Sequence, residues 1–177
     1  MKPAVILAII IILIGGFLIV QDLPSLPTTN TTHTVSAARY LLNEQDLVQL
    51  GMNGGCQTEE YQTSASSPLA QYSFCSYNIS SPAGTELVIE LKKFTNFEDL
   101  NGTYQYESLH LRGFRGLVSE NDYGDMSRFY VNNESTVYYY HLWIVKDEHL
   151  IHITSKGSEE AKEYIESTGQ AILSKFV

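Results

Sequence analysis

Cysteine is nearly absent from this 177-residue chain, which has only Cys56 and Cys75. They form no C-x-x-C pair and no Lys or Arg flanks either, so nothing lowers a thiol pKa and a redox couple is disfavoured. Basic residues are also scarce: 11 Lys and Arg stand against 20 Asp and Glu, for a formal net charge of -9, and they form no run. Such a surface repels phosphate backbones, which argues against a nucleic-acid partner. The catalytic signatures are missing as well. There is no G-x-S-x-G, H-E-x-x-H, P-loop, G-x-G-x-x-G or EF-hand loop. No cofactor, no resident metal and no enzymatic activity are therefore expected.

The strongest positive signal is the apolar run "AVILAIIIILIGGFLIV", residues 4–20, preceded by Lys2. As a helix it reaches about 26 Å, close to the hydrocarbon thickness of a bilayer. It exceeds the roughly 7–15 apolar residues of a cleaved signal peptide, and no small-x-small cleavage site follows. The expectation is a membrane partner: a single-pass signal anchor over residues 1–21. The alternative is a secreted chain released by cleavage. Lys2 before the run and Asp22 after it orient the remainder outside the cytoplasm. Residues 22–37 are rich in Pro, Thr and Asn, as a spacer would be. Residues 38–177 are left as one extracytoplasmic domain. Asn30, Asn78, Asn101 and Asn133 each open an N-x-S/T sequon and are glycosylation candidates. In an oxidising compartment Cys56 and Cys75 read as a disulfide. Closing a loop of about 20 residues contributes roughly 3 kcal/mol.

Periodicity divides the domain into elements. "NEQDLVQLG" is a short helix capped by Asn43 and stopped at Gly51, with Leu47, Val48 and Leu50 toward the core. "LAQYSFCSYNI" and "TELVIELKKF" alternate as strands of a hairpin, and the segment from Gln57 to Phe74 reads as the loop closed by the disulfide. "TNFEDLNGTYQYESLHL" is a helix with Thr95 and Glu98 at capping-box spacing and a stripe of Phe97, Leu100, Tyr104 and Leu111. "FRGLVSE", "MSRFYVN", "TVYYYHLWIVK" and "HLIHITS" are four further strands. The final helix is capped by Ser158, has Lys175 in its last turn, and aligns Ala161, Tyr164, Ile165, Thr168 and Ile172 on one face. The predicted class is α+β, a mostly antiparallel sheet of about six strands in the order α-β-β-α-β-β-β-β-α, preceded by one transmembrane helix.

"STVYYYHLWIVKDEHLIHITSKG", residues 135–157, holds the only tryptophan and three of the five histidines. With Asp147 and Glu148 as the turn, side-chain parity sorts the hairpin. Tyr140, Leu142, Ile144, Ile151 and Ile153 make an aliphatic core face. Tyr139, His141, Trp143, Val145, Leu150, His152 and Thr154 make the opposite face, and His149 sits at the turn. The second face has three readings. It is covered by a helix, or it is a binding patch built on Tyr139, His141, Trp143 and His152, or His141 and His152 begin a metal site lacking its third ligand. Two acidic groups carry weaker readings: Glu120, Asp122 and Asp125 as calcium ligands, and Glu59 with Glu60 as an acid/base pair.

"LLNEQDLVQLG", Cys56 with the Cys75-x-Tyr77 step, "YGDMSRFYV" and the "LWIVKDEHLIHI" hairpin before a final helix carry a resemblance. The chain resembles α/β/α sandwiches of the Mog1/PsbP type and small membrane-anchored extracytoplasmic domains over residues 41–176. The likeness implies accessory, sensor or ligand-binding roles, without assigning a functional residue. The leading expectation is thus a membrane-anchored interaction or accessory domain with a protein partner. The alternatives are a carrier or sensor for a small apolar ligand, and a metal-dependent hydrolase using the His141/His152 face.

Overall fold

Alternating burial along the long strands sets the architecture. In Thr85–Phe94, every second residue from Thr85 to Leu91 is buried while the residues between are not. The structure, a computed structural model, describes residues 36–52, 56–62, 67–79, 85–109, 116–134, 136–159 and 161–176. These belong to one compact unit, Val35–Val177. The expected anchor at residues 4–20 lies outside the described residues. Among the described ones, no helix is long and apolar enough to cross a membrane.

Seven strands form one sheet: β1 (Cys56–Gln62), β2 (Leu69–Ile79), β3 (Thr85–Phe94), β4 (Gly116–Glu120), β5 (Met126–Glu134), β6 (Val137–Lys146) and β7 (His149–Gly157). Their order is β1-β2-β3-β7-β6-β5-β4. Every neighbouring pair is antiparallel. The sheet thus joins two meanders through β3 and β7. The count is one more than the expected figure of about six. Cys56–Gln62, assigned to the disulfide loop, pairs with β2 from Cys56↔Tyr77 to Gln62↔Gln71. It has little apolar residue content to announce it, and its pairing to the edge of β2 makes it a strand.

The helices are α1 (Glu44–Gln49), α2 (Phe97–Leu109) and α3 (Ala161–Leu173), with a 3₁₀ turn at Ala37–Tyr40. One face of the sheet packs Cys75, Tyr77, Leu87, Ile89, Leu91, Leu142, Ile144, Ile151 and Ile153 against Ala161, Ile165 and Ile172 of α3 and against Ala37, Tyr40 and Leu47. The other packs Phe94, Trp143, Val145 and Leu150 against Leu100 and Tyr104 of α2. The hairpin register is the expected one, from Lys146↔His149 to His141↔Thr154. Asp147 takes positive φ (52°) in its turn, a conformation short polar residues tolerate, and Asp125 Oδ2 accepts its backbone N–H at 2.9 Å.

Several local expectations shift. Val48 is 74% exposed, whereas Leu47 is buried, because so short a helix offers the core only one turn. The α2 cap is Asn96, whose Oδ1 accepts from Asp99 N at 2.9 Å. Thr95 instead donates to Pro68 O at the strand end. Phe97 is 63% exposed, and Leu111 lies outside the described residues. The Ser158 hydroxyl finds no partner among the described residues, although its carbonyl accepts from Ala161 N. In α3, Gly169 permits close approach: a Cβ there would lie 3.1 Å from Leu142 Cδ2.

The segment leading into the sheet is tied down at several points. Ala37 N donates to Gln71 Oε1 at 2.9 Å, so the domain begins upstream of residue 38. Tyr77 Oη donates to Leu42 O at 3.1 Å. Lys175 was expected to serve the dipole of α3. It reaches Leu41 O at 2.7 Å and pairs with Asp46. Tyr40 stacks on Phe176 with centroids 4.0 Å apart, and His149 meets both rings edge-on at 5.1 Å. His149 therefore stands apart from the other imidazoles, as its turn position implied, but is buried at 6% exposure.

Burial, reinforced by Lys93, pushes the His149 pKa from 6.5 down to about 4. The folded state thus favours neutral imidazole. This stabilisation is complete above about pH 6.5, the unfolded value, and is lost as pH falls toward 4. Urea midpoints measured between pH 6.5 and 4.5 should decline for the native chain, and His149→Phe should flatten the decline. The flattening is partial, because His141 is depressed in the same direction. An unchanged slope would show that His149 is not held neutral.

Candidate functional site

The face carrying α2 is covered over only part of its area. Alternation along three strands places Val88, Glu90 and Lys92 (β3), Leu150, His152 and Thr154 (β7), and Tyr139, His141, Trp143 and Val145 (β6) on this side. Helix α2 sits over the part nearest the β6–β7 turn, where Trp143, Val145 and Leu150 are fully buried. It is fastened by the Lys92–Glu107 ion pair. Arg128 (β5) adds hydrogen bonds to Gln105 Oε1 and Ser108 Oγ, both at 2.8 Å, and lies over the Tyr104 ring. Beyond the helix, Tyr139, His141, His152, Thr154, Val88 and Glu90 are half-buried.

That open part holds a continuous hydrogen-bonded chain. Glu90 and His152 are direct partners across β3 and β7. Glu90 Oε2 lies 2.9 Å from His152 Nδ1, and Glu90 Oε1 accepts from Tyr72 Oη at 2.8 Å. His152 Nε2 lies 3.2 Å from His141 Nδ1. The two rings are within 20° of coplanar with centroids 5.4 Å apart. That separation equals the N···N distance plus roughly the two ring radii, so the rings meet edge to edge. Trp143 stacks beneath His152 at 4.4 Å and 7°.

Electrostatics follow from this geometry. The His152 hydrogen bond holds the Glu90 carboxyl down to about 2, against the raising effect of burial. Glu90 is therefore ionised, and His152 Nδ1 must carry a proton to meet it. Burial, followed by the neighbouring His152, lowers His141 to about 3 and keeps it neutral. With His152 Nδ1–H turned to Glu90, His152 Nε2 faces His141 Nδ1 across the hydrogen bond.

The patch expected from sequence is thus partly assembled. Tyr139, His141 and His152 lie in the open part. Trp143 does not, since it is fully buried and offers no ring to a partner. It is a floor for the imidazoles and a core residue under α2. Glu90, Tyr72 and Arg128 were missed as members. Their outward parity was readable, but Glu90 meets His152 across 62 positions of sequence, and only the β3–β7 register reveals that contact.

The other candidates disperse. A cation shared by His141 and His152 requires both lone pairs to converge on one point, whereas here the two nitrogens face each other. Glu120 pairs with Arg128, and Asp125 with Lys146 and the Asp147 N–H, so these carboxylates close a turn. Gly124 completes that turn at φ 60°, where a Cβ would lie 2.5 Å from Val145 O. Cys75 is buried in β2 and is not a free thiol. The side chains of Cys56, Glu59, Glu60 and Asn78 lie outside the described residues, as does Asn30. Asn133 is exposed and Asn101 half-buried.

No family model matches the chain, and no curated protein matches its sequence. Among solved structures, it is similar to the extracellular domain of PknH from Mycobacterium tuberculosis. The match has 7% identity and a TM-score of 0.51, covering 77% of this chain and 94% of that one. At this identity the similarity shows a shared α+β fold.

Trp143 provides the test of how the face is divided. Trp143→Ala should destabilise the protein by about 3–5 kcal/mol in urea denaturation, the cost of emptying a buried indole site. A loss below about 1 kcal/mol would place the ring at the surface.

Proposed function

We propose that this chain is a membrane-anchored, extracytoplasmic binding module without catalytic activity, an accessory or sensor domain that engages a protein partner through the open part of the α2-bearing face. The observation that carries it is the half-buried Glu90–His152–His141 chain beside an otherwise sealed apolar core. Three things support the location: the apolar run at residues 4–20, a Cys75 that is not a free thiol, and a fold shared with a domain described as extracellular. Cys56 is the partner proposed for Cys75. The β1–β2 register sets Cys75 opposite Thr58, two positions along β1 from Cys56. The helices on both faces fit the Mog1/PsbP-type resemblance.

The reading as a carrier of a small apolar ligand is the weaker one. The apolar part of the face is filled by Leu100 and Tyr104, and the part left open presents carboxylate, imidazole and hydroxyl groups.

Location is tested by fusing alkaline phosphatase or green fluorescent protein after Val177. An active phosphatase with a dark fluorescent fusion is expected, and the reverse pattern overturns the topology. For the disulfide, intact mass under non-reducing conditions should be two hydrogens lower than after reduction. Partner binding is read with a photo-crosslinking residue at Tyr139 in native membranes. One defined adduct is expected there and none from Val48, on the other side of the sheet. Equal labelling from both positions counts against the patch.

A further inference from the structure

We propose that Tyr40 and Phe176 form a latch over His149 that opens when this imidazole takes up a proton, releasing the chain from Ser36 to Leu41 while the sheet stays folded. The latch stands without the membrane reading. Its consequence, a longer tether in acid, deepens that reading and rests on it.

Ring geometry makes the closed latch hostile to charge. The Tyr40 and Phe176 centroids are 4.0 Å apart in a near-parallel stack, and the His149 centroid is 5.1 Å from each. A point equidistant from two stacked rings at that range lies beside the stack and not over an outer face. His149 therefore meets ring edges, the positive side of the aromatic quadrupole. Phe176 covers one face of Tyr40, and the Arg39 guanidinium, 4.5 Å from the ring centroid, takes the other. His149 Nδ1 is buried with no hydrogen-bond partner among the described residues. In the imidazolium both ring nitrogens are donors, so protonation would leave Nδ1–H without an acceptor.

The charged neighbours act in the same direction. The cross-strand partners of His149 are Lys93 of β3 and Lys146 of β6. The carboxylates of the turn serve these lysines: Glu148 lies 3.3 Å from Lys93, and Asp125 and Asp147 lie 3.1 and 3.6 Å from Lys146. Arg39 comes from the 3₁₀ turn, and Lys175, beside Phe176, is paired with Asp46. Burial, then Lys93, holds His149 down to about 4, against the pull of Glu148 and Asp147. Withdrawal of Tyr40 and Phe176 returns the ring to water and to its ordinary value of 6.5. The closed form is fully favoured above that value, and the advantage is lost as pH falls toward 4. The polar ties on the moving segment include Ala37 N on Gln71 Oε1 and Lys175 Nζ on Leu41 O. The Tyr77 bond to Leu42 O marks where the chain stays docked. Freeing the residues from Ser36 to Leu41 adds up to about 20 Å to the reach of a tether that enters there.

The test is amide hydrogen exchange of the full-length chain in detergent micelles between pH 7.5 and 5, corrected for the intrinsic pH dependence of exchange. Protection of the Ala37, Arg39 and Leu41 amides should fall together by about 20–30-fold, the population shift set by values of about 4 closed and 6.5 open. Amides of the β3–β7 ladder should remain better protected than these at every pH. Latch protection that does not change with pH overturns the proposal, as does equal protection of latch and ladder, which would mean that the whole domain opens. His149→Phe should hold latch protection constant across the range, and a persisting fall counts against His149 as the trigger. Phe176→Ala, read by 15N-histidine NMR, should raise the His149 midpoint toward 6.5; an unmoved midpoint shows that Phe176 does not close the latch. None of these readouts needs a membrane orientation, so they fail separately from the fusion experiments.

Discussion

The pairing of β3 with β7 is the constraint on which the rest of the molecule depends. It joins strands far apart in sequence, from Lys93 with His149 to Glu86 with Lys156, and closes two local meanders into one sheet. Its register places Leu87, Ile89 and Leu91 beside Ile151 and Ile153 on the α3 side, and Glu90 opposite His152 on the α2 side. A slip of one residue would turn all of these over. The core and the polar chain are therefore two outcomes of one alignment, and it is the slow, non-local step by which such a topology must assemble.

Helix α2 divides its face for a reason visible in its residues. Only Leu100, Tyr104 and Ser108 are buried on it, so it covers a narrow strip. The strip falls over Trp143, Val145 and Leu150, and past it the sheet turns from apolar to ionisable. Trp143 belongs to both regions. Its burial under α2 fixes the ring that stacks on His152, so the position of the imidazole depends on packing as much as on the carboxylate behind it.

Local pattern was the most readable part of the sequence. The β6–β7 register followed from a two-residue turn and strict alternation, and it set His141 diagonal to His152. The stripe of α3 followed from its period. Three features were hidden for physical reasons. Strand β1 has a polar composition and takes its conformation from the edge of β2. Glu90 could be assigned an outward direction but no partner, since its partner arrives from another meander. Trp143 was assigned to the correct face, but the covered part of that face is set by where α2 lands, which no periodicity records.

Tyr40 on Phe176, Lys175 on Leu41 and Tyr77 on Leu42 bring the two ends of the folded unit to one place. The segment that follows Ser36 and the segment that follows α3 therefore hold each other in place. Ala37 on Gln71 adds a tie from the first of these segments to β2, so unfastening the C-terminal segment would also loosen the entry to the sheet. The contact between Glu90 and His152 lies on the opposite face of the sheet from this clasp.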